Sequence, residues 1–437
     1  MEYNRPVAAT ARLRIWARAF ALATLIHLTL PDYAQAGWTA PGLLSAAGAL
    51  WLLARPAAGG FALCLIGTLW PLLALRDVLT QSALLSLWAV LGLVATVRLA
   101  QPLDSKRIAS TLDAVRLVTA STYFIAALHK LNTAFFDPTR GCAEHAWRQV
   151  ADRYGLPDLP GAPWIAVATE ITLGLLIWRR SRWMWPVGLA FHLPLTVTLA
   201  PAFGAVMLSG YVAGLDSRTL VRWRRAARIG RWPLLALGLA ATASELTWAA
   251  RAEVAPALKT GAAAVILALS LLVARHRPRP LRRPLTPLPL AALALWTANG
   301  LTPYLGLQYQ HTAAMLSGLR IDPGCHNSLV IPEALRLTDP YLRIDTAHFA
   351  HPRPDRERIL RESLWNLPAL YAMRTNWCIP ENRPITLTGT WQGMAFHLPD
   401  LCDDTWRTHL PGRPEWLPGF QRFQKNLSRT CAQACVH

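Results

Sequence analysis

The sequence predicts an all-α polytopic membrane helix bundle of about 11 transmembrane helices, followed by a small α+β extracytoplasmic C-terminal domain. Apolar residues make up 53% of the 437 residues, whereas charged residues make up only 16%. A water-soluble protein of this composition would expose large apolar patches, and a bilayer removes that difficulty. The 19 Trp residues also suit the aromatic belts that form at membrane interfaces.

Eleven apolar runs supply the predicted helices. A helix needs about 20 residues to cross a bilayer, and several runs are shorter, with 40–54 and 202–216 the least secure. The first run has no clean small-residue cleavage site, so we expect a helix there and not a cleaved signal peptide. The runs are 15–31, 40–54, 60–76, 79–98, 110–130, 162–178, 183–200, 202–216, 232–250, 260–274 and 287–304.

Basic patches between the runs set the predicted topology. They are Arg5 to Arg18, Arg55, Arg98 to Arg107, Arg179 to Arg182, Arg218 to Arg231 and Arg275 to Arg283. Lys and Arg accumulate in cytoplasmic loops, and eleven crossings place every patch on the cytoplasmic side. We therefore expect a multi-pass protein with a cytoplasmic N-terminus and a periplasmic or extracellular C-terminal domain. The Ala-, Leu- and Arg-rich composition favours a bacterial inner membrane.

The same charge pattern decides between two classes of partner. A net charge of +19 can indicate nucleic-acid binding. These patches are short and contain no fold that reads or holds a strand, so no nucleic-acid partner is predicted. The predicted partner is the lipid bilayer.

Two regions outside the membrane are long. Residues 1–304 form the predicted bundle, which includes an outer loop at 131–161, and residues 305–437 form the outer domain. Within that domain, residues 355–374 are predicted to be helical and residues 384–398 to form strands. Residues 304–320 are amphipathic, and we expect them to lie along the membrane surface.

Six of the seven cysteines lie outside the predicted membrane, all on the same side: Cys142, Cys325, Cys378, Cys402, Cys431 and Cys435. An even number in an oxidising compartment predicts up to three disulfides, in one of fifteen pairings. Free thiols are the alternative, as is a zinc site built from Cys431, Cys435 and His437, although its spacing is a weak signal and no metal is predicted overall. Cys64 lies inside an apolar run and is predicted to be an inert core residue.

Lys130 follows His129 at the end of the fifth run, where the helix should meet the outer surface. One interpretation is that the lysine extends its ammonium group to the lipid headgroups. The other is that the amine is partly buried, which favours its neutral form and makes it a base for a weakly acidic proton. Position alone favours the first interpretation.

His192 and Glu170 are polar side chains inside later apolar runs. Such residues usually face the interior of a bundle or a cavity, and they often have a function. A lone histidine in a helix is nevertheless more often a core residue whose hydrogen bonds are satisfied. Glu170 has Lys130 and His192 as its nearest candidate partners across the bundle.

Two segments resemble a known family. Tyr123-Phe-Ile-Ala-Ala-Leu-His-Lys-Leu-Asn132 is similar to the Tyr-Phe-x-Ala-Gly-x-x-Lys-Leu segment of vitamin K-dependent γ-carboxylase and its bacterial relatives, the HTTM-domain membrane proteins. Phe191-His192, followed by Phe203 and Val206-Met-Leu208, resembles the Phe-His…Phe…Val-Met-Leu helix of the same family. The resemblance covers roughly residues 10–275.

This resemblance implies a site and a cofactor. The matching Lys130 would be the base that deprotonates a reduced quinone similar to vitamin K hydroquinone. His192 and Glu170 would be further catalytic residues, and His129 and Tyr123 would contact the cofactor. The substrate would be a peptide, a protein or a small molecule on the outer side of the membrane.

Two functions stay open at this point. One is a quinol-dependent carboxylase or oxygenase of the γ-carboxylase-like type, acting at the outer face of the membrane. The other is a non-catalytic membrane scaffold or assembly factor that presents the outer domain to a partner. Scaffold resemblance alone does not establish an activity, and the early-helix histidine of the carboxylases has no counterpart near Trp70.

Overall fold

The computed structural model is mostly helical, with one small antiparallel sheet in its C-terminal third. This agrees with the predicted combination of a helical bundle and a small α+β C-terminal domain. The structure describes residues 5–28, 40–73, 80–97, 104–198, 200–216, 219–223, 225, 228, 236, 264–271, 273–274, 286–314, 316–381, 384–410, 423–424, 427–432 and 435.

The N-terminal part is built from helices that follow the apolar runs. Nine of the eleven runs coincide with helices within the described ranges, and residues 264–271 of the 260–274 run are also helical. The run at 232–250 lies almost entirely outside the described residues. The helices are α1 (Arg5–Leu28), α2 (Ala40–Ala54), α3 (Ala58–Leu73), α4 (Thr80–Thr96), α5 (Ser105–Lys130), α6 (Cys142–Tyr154), α7 (Ala162–Trp178), α8 (Met184–Thr198), α9 (Pro201–Ala213) and α10 (Pro287–Leu301).

Among the described residues, one helix is both long and apolar enough to cross a membrane. It is α5, with 26 residues, and most of its surface is buried inside the bundle. Other apolar helices in the described part of the chain have 10 to 17 residues. The number of crossings therefore stays a prediction.

Local sequence explains where several helices begin. The Asp104 carboxylate caps α5 by accepting a hydrogen bond from the Lys106 amide at 2.8 Å. Helices α7, α9 and α10 each carry a proline in the first turn, where no hydrogen bond from the amide is needed. Helix α5 ends at Lys130, and the next amide, of Leu131, bonds back to the Leu128 carbonyl at 3.2 Å.

Helix α5 is the centre of the bundle. It packs against α1, α4, α7, α9 and α10, and its side chains from Ala114 to Tyr123 are buried without interruption. Two of its threonines accommodate this burial by bonding along the helix, as Thr119 Oγ1 does to the Val115 carbonyl at 2.7 Å and Thr122 Oγ1 to the Val118 carbonyl at 2.9 Å. A polar side chain in this stretch of α5 therefore faces protein and not solvent.

The outer surface of the bundle is apolar, whereas many hydroxyl groups lie inside. Leu50 is 60% exposed, Trp164 is 66% exposed and Leu295 is 69% exposed. By contrast, Ser82 and Thr24 are completely buried. Monomeric water-soluble proteins seldom present apolar side chains of this size over several helices.

The C-terminal part folds around a five-stranded antiparallel sheet with the order β4-β3-β1-β2-β5. Its strands are β1 (Leu342–Phe349), β2 (Ser363–Trp365), β3 (Ile385–Trp391), β4 (Met394–Leu398) and β5 (Leu427–Ser428), and its helices are α11 (Pro354–Glu362) and α12 (Leu367–Glu381). In β3, alternate side chains are buried. Gln392 and Gly393 then turn the chain into β4 with positive φ angles of 54° and 77°, as tight hairpin turns require.

The strands predicted at 384–398 are confirmed, but the helix predicted at 355–374 needs correction. The segment 355–374 is not one helix, because strand β2 separates α11 from α12. The segment 304–320 forms only a short 3₁₀ turn at its start. Four of its residues have positive φ angles, which a helix does not tolerate; they are Gly306, Ala313, Leu316 and Gly318.

The described residues of 304–320, which were predicted to lie along the membrane surface, are buried or half-buried within the protein. Thr312, Ser317 and Leu319 are fully buried, because this segment packs between the outer end of the bundle and the sheet domain. Asn132, just after α5, holds the segment in place by donating to the Ser317 carbonyl at 2.8 Å. The segment that follows the predicted boundary between residues 304 and 305 therefore contacts both the helical bundle and the sheet domain.

The predicted disulfides are confirmed, and their pairing is Cys142–Cys435, Cys325–Cys431 and Cys378–Cys402. Cys64 is free and buried, as predicted. The zinc alternative is wrong, since both of its cysteines, Cys431 and Cys435, are used in disulfides; His437 lies outside the described residues. The Cys142–Cys435 bond joins the loop after α5 to the C-terminal part of the chain.

Candidate functional site

A cavity of about 530 Å³ lies among helices α5 to α9, next to the 313–316 segment of the outer region. Most of its wall is apolar, as in many pockets that bind small organic ligands. Two of its lining residues, Ile165 on α7 and Pro194 on α8, are exposed on the surface of the bundle. The cavity therefore reaches the bundle surface between these two helices.

Lys130 and Glu170 form a buried ion pair in the wall of this cavity. The Lys130 Nζ atom donates to Glu170 Oε1 at 2.8 Å, and both side chains are about nine-tenths buried. Lys130 is the last residue of α5, and Glu170 lies in the middle of α7. Gly174, one turn further along α7, allows the two helices to approach, since a Cβ there would lie 2.7 Å from the Phe124 ring.

The position of Lys130 decides between its two interpretations. Its side chain is buried in the protein and does not extend to solvent, and the ammonium group lies 5.9 Å from the centre of the Phe135 ring. Such a distance allows a cation–π attraction. The amine is therefore held inside the protein by a carboxylate and an aromatic ring.

Glu170 keeps one oxygen atom without a partner. Oε2 is buried and accepts no hydrogen bond from the residues that the structure describes. A buried carboxylate oxygen without a donor is costly, because folding has removed its water. The carboxylate can therefore gain a proton or a donor from a ligand without losing an existing bond.

His192 lies in the wall of the same cavity. Its Nε2 atom is hydrogen-bonded to the Tyr123 hydroxyl, which is also bonded to the Tyr211 hydroxyl. All three side chains are buried. Helices α5, α8 and α9 each supply one member of this chain, so their packing sets its geometry.

The remaining predicted site residues take other positions. His129 is fully buried and uses both ring nitrogens, with Nδ1 3.0 Å from the Tyr304 hydroxyl and Nε2 3.0 Å from the Thr312 carbonyl. Because the carbonyl only accepts, Nε2 must carry the proton. His129 thus fixes the outer region to α5, and it is not among the described residues that line the cavity. Tyr123 does not line the cavity either, but it is hydrogen-bonded to His192, which does.

Sequence reasoning missed three contributors to the site. Tyr211 was not singled out, although a tyrosine inside an apolar run usually needs a hydrogen-bond partner. Helix α6 was treated as part of an outer loop, yet Trp147 and Val150 on this helix line the cavity. Cys142, at the start of α6, also lines the cavity while bonded to Cys435.

The side chains of this site can transfer a proton and can form a hydrogen bond to an oxygen atom of a ligand. An amine, a carboxylate with a free oxygen and an imidazole share one apolar wall. Charges interact more strongly in such surroundings than in water. Within the described part of the chain, no group of three or more His, Cys, Asp or Glu side chains is arranged to hold a metal ion.

Comparison with known proteins gives no relative: the chain matches no protein-family model, no curated protein and no solved structure.

Proposed function

We propose that this chain is a multi-pass protein of a bacterial inner membrane, with about eleven crossings, its N-terminus in the cytoplasm and its sheet domain outside. The apolar outer surface of the bundle and its buried hydroxyl groups support this proposal. The disulfides support an oxidising compartment for the sheet domain. The alternating basic patches give the orientation.

Within this membrane setting, we propose a γ-carboxylase-like HTTM protein that acts as a quinol-dependent carboxylase or oxygenase on a peptide or small substrate at the outer face. One observation carries the proposal: Lys130, Glu170 and His192 share the wall of a single apolar cavity. They come from three different helices, α5, α7 and α8. Any two buried charges of opposite sign would pair as Lys130 and Glu170 do, but that pairing does not require His192 to line the same cavity.

A reduced quinone suits the cavity that these residues line. The volume lies within the roughly 300–1,000 Å³ of typical ligand pockets. The mostly apolar wall suits an aromatic ring, and the opening between α7 and α8 would admit a lipid-soluble molecule from the bilayer. A quinol bound there would supply, by reacting with oxygen, a base strong enough to remove a carbon-bound proton.

The Lys130–Glu170 pair would provide the first proton transfer. Nζ donates its proton to Oε1, and complete transfer to the carboxylate leaves a neutral amine. That amine can accept a proton from a ligand hydroxyl group, which it cannot do as an ammonium ion. Glu170 thus stores the proton that Lys130 must lose before it acts as a base.

Removal of the Lys130 amine tests this proposal. The full chain, reconstituted in lipid nanodiscs, would be given a short-chain naphthoquinol in air. Oxygen uptake and incorporation of labelled carbon dioxide into a glutamate-containing peptide would be measured. We expect Lys130→Ala to lower the rate by about 10²- to 10⁴-fold, the range for loss of a general base.

Lys106→Ala is the matched control, because Lys106 is an exposed lysine near the opposite end of the same helix. Its rate should equal that of the unmodified chain. Equal rates for Lys130→Ala and Lys106→Ala would contradict the proposal, as would a rate no higher than that of empty nanodiscs.

The scaffold alternative has its own supporting observation. The outer region is fixed firmly to the bundle, since the Leu329 amide bonds to the Leu131 carbonyl at 2.9 Å and His129 bonds to Thr312. A scaffold would tolerate Lys130→Ala in a cellular assay. It would lose function on replacement of the Cys325–Cys431 pair, which lies away from the described wall of the cavity.

A further inference from the structure

We propose that Tyr211 and Tyr123 hold His192 as a neutral imidazole whose proton is on Nδ1, so that His192 offers the cavity a hydrogen-bond donor and not a base. This inference rests on the proposed function only for the identity of the ligand. The protonation of His192 follows from the three side chains alone. Tyr123 and Tyr211 are positioning residues in this scheme.

The direction of the chain of hydrogen bonds begins with Tyr211. Its hydroxyl is fully buried, and Tyr123 is its partner among the described residues. If Tyr211 accepted from Tyr123, its own hydrogen would be buried without an acceptor, which is unfavourable. Tyr211 therefore donates to Tyr123.

The rest of the chain follows from this first step. The Tyr123 oxygen accepts from Tyr211, and among the described residues the Tyr123 hydrogen then has only His192 Nε2 as an acceptor. Because a buried hydrogen without an acceptor is unfavourable, Tyr123 donates to Nε2. Nε2 must then be unprotonated, because two hydrogens cannot occupy one hydrogen bond. A neutral imidazole carries its proton on the other nitrogen, Nδ1.

Protonation of His192 would leave one tyrosine hydrogen without an acceptor. An imidazolium ion would donate from Nε2 to the Tyr123 oxygen, so Tyr123 could no longer donate to Nε2. If Tyr123 donated to Tyr211 instead, the Tyr211 hydrogen would be unpaired in buried surroundings; if Tyr211 kept donating to Tyr123, the Tyr123 hydrogen would be unpaired. The two tyrosines thus oppose the charged form of His192 in addition to its burial.

Close packing prevents Tyr211 from turning away from this arrangement. A Cβ atom at Gly188, one turn before His192 on α8, would lie 2.4 Å from Cε2 of Tyr211. The Tyr211 ring therefore rests directly on the backbone of α8. This contact keeps the hydroxyl aimed at Tyr123, and the His192 and Tyr211 ring centres are 6.1 Å apart.

The fixed proton defines the ligand chemistry of the cavity. Nδ1 of His192 makes no hydrogen bond to a described residue and belongs to a side chain in the cavity wall. Together with Lys130 Nζ, it gives an apolar cavity two donors. The matching ligand is an apolar molecule with acceptor oxygens, such as a quinone or a quinol, and His192 would bind one of these oxygens.

Nuclear magnetic resonance of histidine-labelled protein tests this inference without an activity assay. The full chain would be labelled with ¹³C and ¹⁵N histidine in nanodiscs, and the His192 signals would be assigned by their loss in His192→Gln. The ring carbon and nitrogen shifts distinguish the two neutral tautomers from the imidazolium ion. We expect the Nδ1-protonated neutral form at pH 7.

Two variants test the role of the tyrosines. Tyr123→Phe removes the donor to Nε2, so His192 should move toward the Nε2-protonated form or a mixture of both forms. Tyr211→Phe should produce a mixture, since Tyr123 can then either donate to His192 Nε2 or accept from a protonated Nε2. Tyr304→Phe is the matched control: it removes a buried tyrosine from His129 and should leave the His192 signals unchanged.

Some results would overturn the inference. An Nε2-protonated or charged His192 in the unmodified chain would do so, as would unchanged His192 signals in Tyr123→Phe. Addition of a short-chain naphthoquinol separates this inference from the proposed function. If His192 has the expected tautomer but its Nδ1 chemical shift does not change when the naphthoquinol is added, the quinol proposal fails and the tautomer assignment stands.

Discussion

Lys130 is buried at the end of an apolar helix, where a lysine normally reaches for water. Its ammonium group is tolerated because Glu170 lies 2.8 Å away. Paired buried charges contribute little net stability, yet removal of one partner leaves the other uncompensated. The pair is therefore more informative about function than about stability.

This asymmetry gives a prediction for Glu170. Glu170→Gln should lower the free energy of unfolding by about 3–5 kcal/mol, the usual cost of an unpaired buried charge. The double variant Lys130→Met with Glu170→Gln should recover most of that loss. Unfolding in mixed micelles with increasing dodecyl sulfate would measure both.

Glu144→Gln provides the control for this measurement. Glu144 pairs with Arg148 on α6 at 3.4 Å, and the Arg148 side chain is 51% exposed. Exposed pairs of this kind contribute about 0–1 kcal/mol. A Glu170→Gln protein as stable as the Glu144→Gln protein would show that Lys130 is not charged in the native state.

Some residues of the site were predictable from position alone. Lys130, Glu170 and His192 stand out because polar side chains are rare in apolar helices. Their roles stay predictions, but the structure brings them to one cavity. His129 was equally conspicuous in the sequence, and only the three-dimensional contacts with Tyr304 and Thr312 assign it to the join with the outer region.

The helices of the site approach one another at glycines. On α8, Gly188 faces the Tyr211 ring so closely that a methyl group does not fit. Small residues commonly allow such contacts between helices in membranes. The position of α9 relative to α8, and with it the hydrogen bond to Tyr123, depends on this contact.

Gly188→Ala should therefore disturb both packing and the His192 environment. We expect a loss of about 1–3 kcal/mol in the free energy of unfolding, as for an overpacked core. In Gly161→Ala the added methyl group would meet only Ile165 Cδ1, at 3.8 Å, and we expect a change within about 0.5 kcal/mol. Equal stability of the two variants would mean that α8 and α9 are not in close contact.

The sequence predicted helices well where apolar runs were uninterrupted. Runs such as 162–178 and 287–304 correspond closely to α7 and α10. The amphipathic spacing of 304–320 was misleading, because left-handed backbone at Gly306 and Gly318 breaks any helix there. Helix α6 was missed since a single short amphipathic helix in a polar loop gives a weak periodic signal.

The arrangement of the whole chain was predictable only in outline. Composition indicates a membrane bundle with an oxidised outer part, and the six outer cysteines are indeed all paired. Which cysteine pairs with which was not predictable, because the partners are brought together by the fold and not by spacing. The number of crossings likewise depends on the 232–250 run, outside the described residues.

Topology is the most direct test of the membrane proposal. Single cysteines introduced at exposed or half-buried positions in a Cys64→Ser background would be labelled from either side with a membrane-impermeant maleimide. A cysteine replacing Ser181, in the Arg179–Arg182 patch, should react only from the cytoplasmic side. A cysteine replacing Ser105 should react from the same side, since the proposed topology places the start of α5 in the cytoplasm.

A cysteine replacing Thr346, on strand β1 of the outer domain, should react only from the opposite side. This labelling requires that the native disulfides remain intact, so that they contribute no free thiols. Labelling of positions 181 and 346 from the same side would rule out the proposed odd number of crossings between them.

The bond between Cys142 and Cys435 has a consequence for biosynthesis. The two cysteines are 293 residues apart in sequence, so Cys142 leaves the ribosome long before its partner exists. During this interval it remains a thiol beside the half-built pocket, while Cys325 and Cys378 emerge in turn as competing partners. In the proposed topology, Cys435 must also be delivered across the bilayer before it can pair, so this part of the pocket wall can close only after the sheet domain has been translocated.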